Sequence, residues 1–224
     1  MIITYQGVEF FKVQFGDTIL AFNPISKESK FKSTRFFADV ALVSANHSDF
    51  NGVESLSYNG KDPLVISGPG EYETKGVFIK GFQSKTNYGG KPARPNDIGH
   101  SGGEKINTVY IVVLEGMTLC FLGALSDEKL SPEFLEAVED IDILFLPIGD
   151  DGVLDSAKAN KLAVTLEPKI IIPMHYDEVG VAGSLKKFLK EAGEEGVKPI
   201  DKLTLKKKDL DGKEGEVVIL SQAN

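Results

Sequence analysis

A four-layer α/β sandwich, with two β-sheets face to face and helices outside, is the fold class this chain predicts. Three observations carry it. The order hairpin, helix or loop, buried strand, polar loop occurs twice: residues 8–22 lead to DVALVSANHSDF at 39–50, and residues 109–124 lead to DIDILFLPIGDD at 140–151. Each hairpin carries Gly-x-Thr between its strands, as Gly16-Asp17-Thr18 and as Gly116-Met117-Thr118. The strand after each hairpin is a continuous apolar run, the pattern of a strand covered on both faces. Two β-rich halves of this kind bury one sheet face on each other and the other on helices. The whole of 1–224 is expected to form one such domain.

Residues 8–22 are two β-rich runs around the turn signal Gly16-Asp17. Residues 40–44 are a short buried strand that empties into Ala45-Asn46-His47-Ser48-Asp49-Phe50, with a helix expected after it. Residues 64–67 and 76–80 read as strands around Gly68-Pro69-Gly70. From 83 to 105 the apolar pattern vanishes into a long Gly- and Pro-rich loop, a length that is usually functional or disordered. A second hairpin follows. Ser131-Pro132-Glu133 then supplies an N-cap, a proline at the first helical position and an early acid. Beyond it come a buried strand at 141–148, a helix at about 156–166, a strand at 169–172 ending in Pro173-Met174-His175-Tyr176, a helix near 184–192, and two closing strands around Asp211-Gly212.

Composition removes several function classes. The formal net charge of −8 provides no overall basic field for nucleic acid or an anionic membrane, although Lys202, Lys206, Lys207 and Lys208 form a local cluster. Cys120 is the only cysteine and lies in an apolar run, which predicts a buried inert thiol. The start MIITYQGVEF lacks the basic and apolar regions of a signal peptide. The longest apolar stretch, 109–125, is broken by Glu115-Gly116, which suits a hairpin better than a membrane span. A cytoplasmic location is expected.

The loops that directly follow apolar strands hold His47 and Asp49, Gly123-Ala124, Gly149-Asp150 and His175, and ligand crevices in α/β sheets lie beyond such strand ends. With Phe22-Asn23-Pro24, Ser67-Gly68-Pro69-Gly70-Glu71-Tyr72 and the stretch from Glu167 to Tyr176, this set resembles the metallo-β-lactamase superfamily over nearly the whole chain. The resemblance is to its small bacterial branch of zinc-dependent hydrolases similar to ascorbate-6-phosphate lactonase. It implies the αββα metallo-β-lactamase fold and a two-metal site that lowers the pKa of a bridging water. The family's His-x-His-x-Asp-His motif falls on Ala45, His47, Asp49 and Phe50, its bridging Asp on Ala124, and its late histidine on His175. The third histidine falls near Thr86 or Asn87, with His100 the substitute further along the loop, and the usual Asp-Pro is Asn23-Pro24.

The metal candidates are therefore His47, Asp49, His175 and His100, with Asp49 and His47 the candidate catalytic pair. A catalytic zinc takes three protein ligands and a water, and neither half-site reaches three alone. No cofactor is expected, and the surviving donors leave room for one zinc ion at most. Each residue also has a structural role open to it. His47 can hydrogen-bond a loop carbonyl, and Asp49 can cap the following helix through the N–H groups of residues 51–53. Phe50 can fill the volume of metals and imidazoles, His175 can hydrogen-bond where a metal would be, and His100 can be an exposed loop residue. Asp150, Asp151 and Asp155 read as helix-start polarity. Gly102-Gly103 fails as a phosphate loop because neither strand nor helix flanks it. Two hypotheses result. One is a hydrolase-branch homologue without the dinuclear site, with a binding or structural role. The other is a hydrolase of a small ester, lactone or phosphoester with a reduced one-ion site. An unidentified small molecule and self-association are compatible with both, whereas nucleic acid and membrane are not expected partners.

Overall fold

The computed structural model describes residues 1–90 and 105–223. Its first sheet contains β1 (Ile2–Gly7), β2 (Phe10–Phe15), β3 (Thr18–Phe22), β4 (Val40–Leu42) and β5 (Leu64–Ile66), flanked by β12 (Leu203–Thr204). The order is β12-β1-β2-β3-β4-β5. The second sheet contains β6 (Gly70–Thr74), β7 (Val77–Thr86), β8 (Lys105–Leu114), β9 (Met117–Phe121), β10 (Ile143–Pro147), β11 (Ile170–Met174) and β13 (Glu216–Val217), in the order β13-β11-β10-β9-β8-β7-β6. The two sheets face each other through Phe11, Phe22 and Leu42 on one side and Tyr110, Phe121, Phe145 and Met174 on the other. Phe11 meets Phe145 at 4.8 Å and Phe22 meets Phe121 at 4.9 Å between ring centroids. The Tyr110 hydroxyl crosses the interface to donate to the Val43 carbonyl at 2.8 Å.

The internal repeat holds in register. The β2/β3 hairpin turns at Gly16, in the left-handed region at φ 55°, and β8/β9 turns at Glu115-Gly116 with φ 52° and 72°. Each hairpin is extended in parallel by the next buried strand, Leu20 opposite Val40 and Leu119 opposite Ile143. Each of those strands starts at an aspartate that clasps its neighbour. Asp39 accepts from the Ile19 N–H and Asp142 from the Thr118 N–H, both at 2.9 Å.

The helices α1 (Pro132–Ala137), α2 (Ser156–Leu166) and α3 (Ser184–Ala192) cover the outer face of the second sheet through Phe134, Leu162, Ala163 and Phe188. Ser131 caps α1 by accepting from the Phe134 N–H, and Asp155 caps α2 by accepting from that of Lys158, which is the helix-start role expected of it. The outer face of the first sheet is covered by irregular chain around Phe10, Ala41, Phe50 and Leu56.

Four local expectations are corrected. The helix expected after His47 is a 3₁₀ turn, Val53–Ser55, because Asn46, Ser48, Asn51, Gly52, Ser55 and Ser57 favour turns over helix. The turn near residue 70 lies at Lys75-Gly76, so residues 64–66 and 70–74 go to different sheets. The closing strands also part, since β12 pairs with β1 and β13 with β11. The expected loop at 83–105 is trimmed at its ends, because β7 runs on to Thr86 and β8 begins at Lys105, while residues 91–104 lie outside the described residues. The strand β1 was not anticipated. Among the described residues no helix is long and apolar enough to cross a membrane, and Cys120 is buried as expected, its thiol pushed well above the usual range by burial.

Candidate functional site

The loop after β4 is held from both sheets. The Ser44 N–H donates to Asn23 Oδ1 at 2.8 Å and the Ser44 carbonyl accepts from the Thr108 N–H at 2.8 Å. A tight turn follows, with the N–H groups of Phe50 and Asn51 both donating to the His47 carbonyl. Phe50 is fully buried, Ala45 nearly so, and both lie in the cluster that also holds Ala124. The Ala124 N–H donates to Asn107 Oδ1 at 3.0 Å, so a methyl group on a satisfied backbone stands where the resemblance puts a bridging carboxylate.

Asp49 is buried and, among the described residues, caps no helix. Its Oδ1 accepts from the Ser29 hydroxyl at 2.5 Å and its Oδ2 from the Tyr88 hydroxyl at 2.6 Å, while the 3₁₀ turn starts at Gly52 without a side-chain cap. The capping role is thus corrected, because two hydroxyls have captured the carboxylate. His47 is corrected too. Its Nδ1 accepts from the Asp49 N–H at 3.2 Å and lies 3.5 Å from Asp49 Oδ2, rather than donating to a carbonyl. Burial lowers the His47 pKa from its ordinary 6.5, outweighing the opposing pull of Asp49.

His175 lies just beyond β11 with φ 55°, its N–H donating to the carbonyl of Val8, which is itself at φ 58°. Gly149 lets it sit there, since a Cβ at that position would come within 1.9 Å of the His175 carbonyl oxygen. The imidazole and Glu9 are both fully buried, with Nδ1 at 2.6 Å from Glu9 Oε1. Glu9 Oε2 accepts from Asn23 Nδ2 at 2.7 Å. The amide orientation of Asn23 is set by its Oδ1, which accepts a backbone N–H. His175 Nε2 is the buried side-chain atom without a hydrogen-bond partner among the described residues. The expected hydrogen-bonding role of His175 therefore holds at Nδ1 and leaves Nε2 open.

Two residues of this site escaped the sequence, Tyr88 and Glu9. Tyr88 touches all three surviving candidates: its ring lies 4.9 Å from His47 and 4.5 Å from His175 between centroids, and its hydroxyl bonds Asp49. Phe50 packs on the same ring at 5.2 Å. Burial, and then the bond to Asp49, push the Tyr88 phenol far above its ordinary value, so it remains a donor. The segment is pinned by the Asn87 N–H to Gly152 O and the Tyr88 N–H to Thr86 Oγ1. A single aromatic in an otherwise polar stretch, beside the position expected of a ligand, was the available signal for Tyr88. For Glu9 it was one carboxylate inside the apolar run VEFF.

A cleft of about 440 Å³ opens over the site, lined by Lys30, His47, Ser48, Asn87, Gly89 and Asp151. Among the described residues no group of three or more His, Cys, Asp or Glu side chains is placed to hold a metal ion. His47 and Asp49 are neighbours, and His175 joins them through Tyr88. His100 lies outside the described residues.

The family model for the β-lactamase superfamily domain matches residues 2–175. The chain belongs to the metallo-β-lactamase superfamily. Among superfamily relatives, a Pyrococcus furiosus protein named a metal-dependent hydrolase is 29% identical over 213 residues, covering 84% of this chain and 90% of its own. An Anoxybacillus flavithermus protein of the same description is 28% identical over 202 residues, covering 79% and 86%. The relatives thus include archaeal as well as bacterial proteins. A solved Thermotoga maritima structure, assigned as a zinc-dependent hydrolase of the superfamily, superposes with a TM-score of 0.73 at 27% identity, covering 98% of this chain and 97% of its own.

Proposed function

We propose that this superfamily member has lost the dinuclear metal centre and the hydrolysis that depends on it, and that it acts as a binding protein through the cleft beside His47. The observation that carries this reading is the occupancy of the site by Tyr88 and Phe50. A catalytic metal centre needs ligands around a position left open to water. Here the donors surround a packed phenol ring whose hydroxyl already engages Asp49. The methyl groups of Ala45 and Ala124 and the ring of Phe50 cannot ligate, and all three are buried. The residues present do not fit a two-metal centre. The cleft offers Lys30, the His47 edge, Asn87 and Asp151 to a small polar molecule.

Metal analysis of the purified protein tests this. The expected result is no stoichiometric zinc, manganese or iron in the natural protein. One equivalent of metal in the natural protein that disappears with His47→Ala would overturn the reading in favour of a one-ion hydrolase.

A further inference from the structure

A second cleft, of about 520 Å³, opens between four segments: residues 5–8 at the end of β1, residues 30–32, residues 176–179 after β11, and residues 219–222 near the end of the chain. Backbone groups tie these segments together. Gln222 Nε2 donates to the Gln6 carbonyl at 2.9 Å and to the Lys32 carbonyl at 3.2 Å, and the Ala223 N–H donates to the Tyr5 carbonyl at 2.8 Å. The His175 N–H reaches the Val8 carbonyl at 2.9 Å. A cleft of this size is that of a small-molecule site, and one tied this way needs little ordering to take a ligand.

Its lining carries both signs of charge on different segments. Residues 30–32 bring the Lys30 and Lys32 ammonium groups, and residues 177–178 bring the Asp177 and Glu178 carboxylates. Among the described residues neither lysine pairs with a carboxylate, and Glu178 accepts no hydrogen bond. Asp177 Oδ1 accepts only the Gly183 N–H. Opposite charges that line one cleft without meeting leave a gap that a ligand carrying both can bridge. The Tyr5 and Tyr176 rings stack in the same cleft at 6.3 Å between centroids, beside the buried Val8 and Val179. The Tyr5 hydroxyl donates to the Val8 carbonyl, whereas that of Tyr176 has no hydrogen-bond partner among the described residues.

We propose that this cleft binds a small zwitterion of the apolar dipeptide class, its carboxylate toward Lys30 and Lys32, its ammonium toward Asp177 and Glu178, and its side chains against the two tyrosines. In a single α-amino acid both charges sit on one carbon, whereas two extended residues spread them over up to about 7 Å. A ligand with only negative charge faces the two carboxylates and one with only positive charge faces the two lysines, so the lining works against both. The site is separate from the cleft beside His47. Lys30 borders both, but Lys32, Tyr176 and Glu178 do not border that one.

Amide chemical-shift titration by NMR is the test, with leucyl-phenylalanine, its N-acetyl derivative and its C-terminal amide as probes. The free dipeptide is expected to saturate the natural protein below about 10 mM, with shifts centred on the four segments, and each blocked form to bind at least about 10-fold more weakly. Lys32→Gln should weaken the free dipeptide about 5-fold while leaving the amide unchanged, and Glu178→Gln should weaken it similarly while leaving the N-acetyl derivative unchanged. Tyr176→Phe should cost about 3-fold. Circular dichroism checks that each variant folds. Absence of saturation by the free dipeptide, equal binding of the blocked forms, or equal effects of Lys32→Gln on the free dipeptide and the amide would each overturn the proposal. Shifts centred on His47 and Asn87 instead would also overturn it, by placing the dipeptide in the other cleft.

Discussion

The buried strand that follows each hairpin begins at an aspartate, and the two aspartates are held alike. Asp39 receives the Ile19 N–H and the Lys75 ammonium; Asp142 receives the Thr118 N–H with Lys169 at 2.7 Å and Lys207 at 2.6 Å. At the far ends of the same strands the halves are unlike. After β4 the chain turns through His47, Asp49 and Phe50 around Tyr88. After β10 it runs through Gly149 beneath His175 to the cap of α2. The entry ends carry ionic clasps that hold adjacent strands in register. The exit ends, where ligand chemistry would be built, are filled by rings and methyl groups. The lesson is that a scaffold can keep its repeat at one edge while the opposite edge becomes core.

The comparison can be broken or sharpened by experiment. If the exit end is core, Phe50→Ala should cost about 3–5 kcal/mol in urea denaturation, whereas a loss under about 1 kcal/mol would mean an open site. At the entry end Asp142→Ala should cost about 2–3 kcal/mol, below the usual range for a broken buried pair because both lysines are partly in water. Tyr88→Phe should cost about 1–2 kcal/mol by leaving Asp49 Oδ2 short of a donor. Asp39→Ala should cost only about 1 kcal/mol, since its lysine is largely exposed. An Asp39→Ala loss equal to that of Asp142→Ala would show that the backbone clasp, common to both, carries the effect rather than the lysines.

The smallest effect is a pH slope at the exit end. Because burial lowers the His47 pKa from 6.5, the unfolded chain takes the proton first as pH falls. Stability is then present above about pH 6.5 and is lost progressively below it, down to the lower folded pKa. Melting temperatures between about pH 5 and 7 should show this slope, and His47→Gln should flatten it. Asp142 has the same sign in a more acidic window. Although its own burial opposes ionisation, Lys169, Lys207 and the Thr118 N–H hold its carboxyl below the ordinary 3.8. Its contribution is therefore present above that value and lost as pH falls through the lowered one.

Much of the fold was legible because it is local or periodic. The hairpin at Gly16, the capped α2 and the apolar runs of β4 and β10 each declare themselves within a few residues. The burial of Phe50 was legible once the resemblance set the frame. What the chain could not announce were its long-range partners. Asp49 looked like a cap because its near neighbours are N–H groups, but Tyr88, 39 residues away, supplies the stronger donor. Glu9 and His175 are 166 residues apart, and nothing local to either predicts the other.

By itself, then, the sequence determined the αββα class and the repeated hairpin with its following buried strand, since propensity, periodicity and residue identity are properties of short segments. Tertiary structure alone decided that β7 carries Tyr88 into the loop of His47, and that Glu9 braces His175 so that Nε2 is left bare. Those outcomes depend on the packing of two sheets, where the position of a side chain is set by strands far away in the chain.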